Sequence, residues 1–342
     1  MKIAVTGASG HVGNVVCRKL IEKGCKVKAF YNSDSRSLQN LDLELVQGNI
    51  LNKSNLSKLI EGCDFVINCA AMISINGDRD GLVFKTNTEG PKNILEVAIQ
   101  HKVKKIIHVS SVHAVHDLPH STIYNEQRAY KSQENFAYDY SKAKGEQEIL
   151  TNSKNQNIEV VVVRPSCVVG PFDFKPSKMG AALMNFYKEK IPMIPKGGYD
   201  LVDVRDLAES IYQAILKGKN GEVYLLSGKY YSFKDLLKEI HLVTNKKIPK
   251  IILPFWFLKA TLPFIWILSK LTKTEPSLTY ESIIAIKEGH PNMDYSKAKD
   301  ILHHNPRPLK ETLSDFFKWQ FENARNQQKK STNVLNYENR NT

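Results

Sequence analysis

The stretch FAYDYSKAKGEQ, residues 136–147, holds two tyrosines ahead of one lysine. On a helix, positions four apart share a face and positions two apart do not, so Tyr138 lies over Lys142 while Tyr140 points elsewhere. A phenol gives up its proton near neutrality only with help, and an adjacent ammonium lowers its pKa. The pair is a candidate proton-transfer device, although two tyrosines packing on a helix would leave the same pattern. Earlier, HVSSVHAV places Ser110 and Ser111 where an apolar run ends. A hydroxyl there can hold a substrate oxygen beside a phenol, or simply cap the chain as it turns.

TGASGHVG sets Gly7, Gly10 and Gly13 between the first apolar run and the first helical pattern. A dinucleotide pyrophosphate needs close backbone approach, which residues without a Cβ permit, and a helix N-terminus to meet its charge. The spacing is GxxGxxG, and its place at the first strand–helix junction favours dinucleotide binding over a structural turn. The second strand ends in FYNSDSRS. An acid at its tip would bind the adenosine ribose hydroxyls, and a base would accept a 2′-phosphate. Asn32, at the tip, is neither. Asp34 is the candidate for NAD and Arg36 for NADP. With lysines nearby and no acid at the tip, NADP is expected and NAD is admitted. Ala70 and Ala71, ending VINCAA, would let a cofactor pass close to the backbone. Asn87 lies in a helical pattern that disfavours asparagine, which suggests either a buried polar role or a local bond to the backbone.

The elements that must position these groups alternate. KIAVTG, CKVKAFY, LELVQG, DFVINCAA, KKIIHVSS and IEVVVVRP read as strands with helical patterns between them. Continuous β-branched strands alternating with helices imply a parallel sheet covered on both faces. After Gly170 the regularity breaks at Pro171, Pro176, Pro192 and Pro195, and beyond Pro254 the pattern is mainly helical.

Gly7, Gly10 and Gly13, then Ser111, then Tyr138 and Lys142, in that order, resemble the extended short-chain dehydrogenase/reductase family. NTEGPKNILE, YSKAKGEQE, RPSCVVGPFDF and DLVDVRDLAE are similar to segments of its dihydroflavonol-reductase-like and hydroxysteroid-dehydrogenase-like members. The resemblance covers about residues 1–325. It implies an α/β fold: a Rossmann-type doubly wound parallel sheet with a smaller, mainly helical C-terminal substrate lobe. The expected division is residues 1–170 with about 198–228 interleaved, then 171–326 as the lobe. It implies hydride transfer between a nicotinamide cofactor and a carbonyl or secondary alcohol of a small organic substrate, and the apolar, aromatic lobe segments point to a hydrophobic one. Tyr138 would be the general acid/base, Lys142 would bind the nicotinamide ribose and shift the phenol, and Ser111 would orient the carbonyl; Tyr140 would be packing. The expected cofactor-binding set is Gly7, Ser9, Gly10, His11, Val12, Gly13, Asn32, Arg36, Asn49, Ile50, Ala70, Ala71, Asn87, Tyr138, Lys142 and Pro165. Asn49 stands where the family often has an acid at adenine. His113 and His116 stand where many relatives carry small residues; they line the substrate pocket or lie on a surface loop. Nucleotide-sugar epimerisation or dehydration is the alternative on the same machinery, and RPSCVVGP leans towards reductases. A non-catalytic dinucleotide sensor would have no need of the acid/base pair.

The bulk properties are those of an ordinary globular protein: 342 residues, 42% apolar and 24% charged. A formal charge of +13 favours anionic partners, but no basic run is long enough for a nucleic-acid arm. The five cysteines are scattered, without the spacing of a zinc clip or redox pair. MKIAVTG runs straight into a strand pattern, so a cytoplasmic protein is expected, with a homodimer admitted. The apolar stretch 251–271 is broken by Pro254, Lys259 and Pro263. It is expected to form the apolar wall of the substrate lobe, burying Phe255, Trp256, Phe264 and Trp266, with contact to a membrane surface as the alternative. Residues 327–342 are polar and aperiodic and are expected to be disordered.

Overall fold

A computed structural model describes the backbone of residues 1–338 except 79, 192, 250, 273, 275 and 277, and side chains as far as 326. Six strands form in the first half: β1 (Lys2–Thr6), β2 (Lys26–Tyr31), β3 (Glu44–Gln47), β4 (Phe65–Asn68), β5 (Lys105–Val109) and β6 (Glu159–Pro165). Between them run α1 (His11–Glu22), α2 (Lys53–Ile60), α3 (Leu82–Gln100) and α4 (Ala137–Asn152). The second half adds β7 (Cys167–Val169), α5 (Lys178–Tyr187), β8 (Met193–Pro195), β9 (Gly198–Asp203), α6 (Val204–Lys217), β10 (Val223–Leu226) and β11 (Lys229–Ser232). It ends with α7 (Phe233–Thr244), β12 (Ile251–Leu253), α8 (Phe255–Thr272), α9 (Tyr280–Glu288), α10 (Ser296–Leu302) and α11 (Leu309–Glu338).

The main sheet has the order β10-β6-β5-β4-β1-β2-β3. Every pairing in it is parallel. This is the doubly wound Rossmann-type architecture expected from the sequence. Strand order reverses between β1 and β4, and a crevice opens at the carboxyl ends of such strands. Alternation along β1 assigns its side chains: Ile3 and Val5 join the core with α1 and α6, while Ala4 joins the core with α2 and α3. Each fully buried Val, Leu or Ile in these layers contributes about 1.5–3 kcal/mol relative to exposure.

The helix carrying Tyr138 is held from one side with little clearance. A Cβ on Gly145 of α4 would lie 2.1 Å from the Asn87 carbonyl oxygen of α3, so only glycine lets the two helices approach this closely. After β6 the chain leaves the main sheet, then returns with α6 against α1 and with β10 beside β6. The remaining segments build a second core around Phe186, Phe233, Leu313 and Phe316, roofed by the small sheet β11-β9-β7 and the pair β12-β8.

One expectation is corrected. Trp256, Phe264 and Trp266 are 70%, 73% and 51% exposed, so α8 does not bury its aromatics as the wall of a pocket. Only Leu258 and Ser269 of this helix are buried, while Phe255 is partly covered by the second core. The helix lies on the outside of the lobe. The backbone of α11 is helical as far as Glu338. That stretch contains neither glycine nor proline, so nothing local stops a helix already started on a packed first half. Residues 339–342 lie outside the described residues.

Candidate active site

The glycine loop fits a dinucleotide by its shape. Gly7 has φ +62°, and a Cβ there would lie 2.7 Å from Ala70 N, so β1 and the end of β4 touch backbone to backbone. A Cβ on Gly13 would fall 2.1 Å from the Gly7 carbonyl oxygen, which holds α1 tight against the turn. Gly10 is the N-cap of α1 and supplies no side-chain cap. The first-turn N–H groups of a 12-residue helix are thus left without a side-chain acceptor at the strand-order switch. An anion fits this cradle.

The other expected cofactor residues divide. Ser9 offers its carbonyl to Ser37 Oγ at 3.0 Å, and Val12 packs into the β1–α1 core. His11 Nε2 is 3.0 Å from the Pro171 carbonyl oxygen, which ties the glycine loop to the segment after β7. Asn14, which sequence reading missed, is fully buried and donates to the carbonyls of Gly10, His11 and Phe172. Asn32 is exposed and accepts from Gln47 Nε2 through its carbonyl. Arg36 is exposed and forks onto Asp34, with contacts of 2.7–3.1 Å. That contact holds the Asp34 carboxyl at about 2. The NAD and NADP candidates therefore bind each other. Asn49 caps the Leu51 N–H at 2.9 Å, and Ile50 is buried against Gly90. Ala70 is half-buried, Ala71 is exposed, and Pro165 is buried at the end of β6.

Asn87 is buried, and its amide is consumed within the protein. It accepts from Met72 N and donates to Met72 O, both at 2.9 Å, and it donates to Ser141 Oγ of α4 at 2.9 Å. It therefore clamps the loop after β4 to the helix that bears Tyr138. A second unforeseen element runs beneath the site. Thr6 donates to Asn68 at 2.6 Å, and Asn68 Nδ2 lies 3.0 Å from His108 Nδ1. These three residues occupy matching registers on β1, β4 and β5. Burial, with the Lys142 charge, keeps His108 well below its usual pKa and hence neutral. Polar residues at equivalent ends of three apolar strands were the available signal.

Ser111, Tyr138 and Lys142 come together at the carboxyl end of β5. Burial raises the Tyr138 phenol to about 12, while the neighbouring Ser111 hydroxyl acts downward and Asp139 upward; Ser111 Oγ accepts the His113 N–H at 3.1 Å. Lys142 Nζ donates to the Val109 carbonyl at 3.0 Å. Burial lowers its ammonium to about 8, although Glu146 acts the other way. In this arrangement the ammonium is turned to the strand end. Tyr140 stacks on Phe84, with ring centroids 5.2 Å apart. Ser110 Oγ is buried without a hydrogen-bond partner among the described residues, an unspent polar atom beside Ser111.

His113 lies within this group. Its ring meets Tyr138 edge-on at 5.8 Å, and its Nδ1 is 3.3 Å from Asp139. Burial alone would lower its pKa, but Asp139 outweighs burial and raises it. Lys131 bridges Asp117 at 2.9 Å and Asp139 at 2.7 Å. His116 donates its backbone N–H to Ala129, on the loop leading towards Lys131.

The fold thus sets a glycine cradle at the strand-order switch and the Ser111 and Tyr138 hydroxyls at the end of β5. A family model described as the NAD dependent epimerase/dehydratase family matches residues 3–227. The chain belongs to that family. It is an NAD(P)-dependent oxidoreductase acting on alcohol and carbonyl groups. A putative dihydroflavonol 4-reductase of Synechocystis is 31% identical over 92% of this chain and 93% of its own. Sterol demethylase protein B of Methylococcus capsulatus is 27% identical over 93% of this chain and 98% of its own. The UDP-glucose 4-epimerase of Thermotoga maritima superposes with a TM-score of 0.78 at 21% identity, covering 95% of this chain and 100% of that one, a likeness of fold.

Proposed function

We propose that the enzyme reduces a carbonyl, or oxidises the matching secondary alcohol, on a small hydrophobic molecule, with NADP(H) as the preferred cofactor. The observation that carries this reading is the placement of the Tyr138 phenol beside the Ser111 hydroxyl at the end of β5, where the serine draws the phenol's pKa down against burial. A phenol with its pKa at about 12 keeps its proton at neutral pH and can give it to a carbonyl oxygen that gains a hydride.

The residues that would hold the cofactor are Gly7, Gly10 and Gly13 with the first turn of α1 at the pyrophosphate, Arg36 at a 2′-phosphate, and Lys142 at the nicotinamide ribose. When bound, the nicotinamide supplies or takes the hydride. Ser111 Oγ holds the carbonyl oxygen in place. Tyr138 Oη donates its proton to that oxygen in reduction and takes it back in oxidation. Asn87 keeps α4 and the loop after β4 in register through Ser141 and Met72. The NADP preference rests on the absence of an acid at Asn32 and on the exposed guanidinium of Arg36. The apolar substrate class is supported by the names of the relatives, a dihydroflavonol 4-reductase and a sterol demethylase protein.

Oxidation of NADPH and of NADH is to be followed against apolar ketones, with UDP-glucose as the contrasting substrate. Turnover of ketones with NADPH is the expected result. Interconversion of UDP-sugars without net cofactor turnover would place the chain with the epimerases instead.

A further inference from the structure

We infer that α8 docks on the headgroup layer of a bilayer containing anionic lipid. At about 100° per residue, Trp256, Phe264, Ile267 and Leu271 fall within one arc of roughly 80°. They are 70%, 73%, 50% and 76% exposed. Four large apolar side chains aligned on one open face form a patch that water disfavours and that a soluble surface rarely keeps without a partner.

The partner follows from charge. From Lys246 to Lys273 the sequence has six lysines and neither aspartate nor glutamate. On the same winding, Lys259 and Lys270 both fall on one edge of the apolar arc. Both are exposed, and their ring contacts are with Tyr280 at 5.1 Å and Trp266 at 5.6 Å. An apolar arc with aromatic residues and a cationic edge is the pattern of a helix lying in the plane of a membrane interface. The lysines would sit at the headgroups while the aromatics enter the acyl boundary. A second copy of this chain would bring the same lysines together with no acid on this segment to meet them. No helix among the described residues is long and apolar enough to cross a membrane, so contact here is along the surface.

The surface adjoins the catalytic helix. Lys259 lies over Tyr280 of α9, and Tyr280 meets Phe136, the N-cap of α4, with ring centroids 6.2 Å apart. A membrane under α8 would thus lie beside the helix that carries Tyr138. The inference stands whatever the substrate is.

The test uses the full chain, sedimented with phosphatidylcholine vesicles with and without phosphatidylglycerol. Binding is expected to need the anionic lipid and to weaken with salt. Trp256→Glu with Phe264→Glu, and separately Lys259→Glu with Lys270→Glu, should each weaken partition about tenfold or more while leaving turnover of a water-soluble ketone unchanged. Brominated lipid should quench tryptophan fluorescence of the unmodified enzyme, which keeps the test independent of how the variants fold. Absence of sedimentation, absence of quenching, or equal partition of correctly folded variants overturns the inference. So does a dimer in light scattering that the Trp256→Glu and Phe264→Glu substitutions dissolve, since the patch would then serve a second copy.

Discussion

The ammonium of Lys142 donates to the Val109 carbonyl at 3.0 Å, although Lys142 lies one helical turn below Tyr138 on the same face. The two positions share a helical face, but the end of β5 decides where the charge points. The Ser111 hydroxyl draws the phenol's pKa down, and burial prevails over it.

Tyr138→Phe is expected to reduce turnover by at least about 10²–10⁴ while leaving cofactor affinity intact, because it removes only the transferable proton. Tyr140→Phe keeps its stack on Phe84 and should lose little. Steady-state kinetics with a cofactor titration separate them, and equal losses in both would remove Tyr138 from its role.

In the enzyme without cofactor, Tyr138 should ionise above the ordinary tyrosine value of about 10. The phenolate absorbance present in the unmodified enzyme and missing from Tyr138→Phe reports it. Ser111→Ala should push the transition higher, since the neighbouring serine hydroxyl draws it down. A transition below the ordinary value would contradict the assignment.

Lys142 titrates at about 8 in the folded protein against 10.5 for the free group. The unfolded chain binds more protons between these values, so stability should rise with pH through that window, by an amount on the order of 3 kcal/mol. Lys142→Met should flatten this rise and be the more stable protein near neutral pH. Urea melts at neutral and alkaline pH measure both, and an unchanged slope in the variant would falsify the linkage.

Arg36→Ala should weaken NADPH and leave NADH nearly unchanged, because only NADPH carries a phosphate for the guanidinium. Asp34→Asn should strengthen NADPH by releasing Arg36 from its ion pair. Fluorescence titration with both cofactors decides. Tighter NADH binding in the unmodified enzyme would reverse the proposed preference.

Arg164 and Glu146 are fully buried and joined by contacts of 2.6–3.1 Å, with Tyr130 donating to the same carboxylate at 2.8 Å. Glu146→Leu should cost about 3–5 kcal/mol by stranding a buried guanidinium. Adding Arg164→Met should restore most of the loss. Denaturant midpoints of the single and double variants test this, and equal costs would show that the charge pairing is irrelevant.

Sequence alone determined the alternation of strands and helices, the glycine cradle between β1 and α1, and the order of serine, tyrosine and lysine along the chain. These are local signals: residue period, missing Cβ atoms and spacing within one helix. Tertiary structure decided the rest, because burial and hydrogen-bond partners are set by segments distant in the chain. Asn14 could not be singled out until Phe172 lay against it, nor Thr6, Asn68 and His108 until three strands came into register. Arg36 was legible as a candidate cation, but its fork onto Asp34 needed the folded turn. The stretch 251–271 is apolar in any reading. Whether its aromatics face a core or the outside depends on how much of the lobe reaches α8, and only Leu258 and Ser269 are buried on that helix.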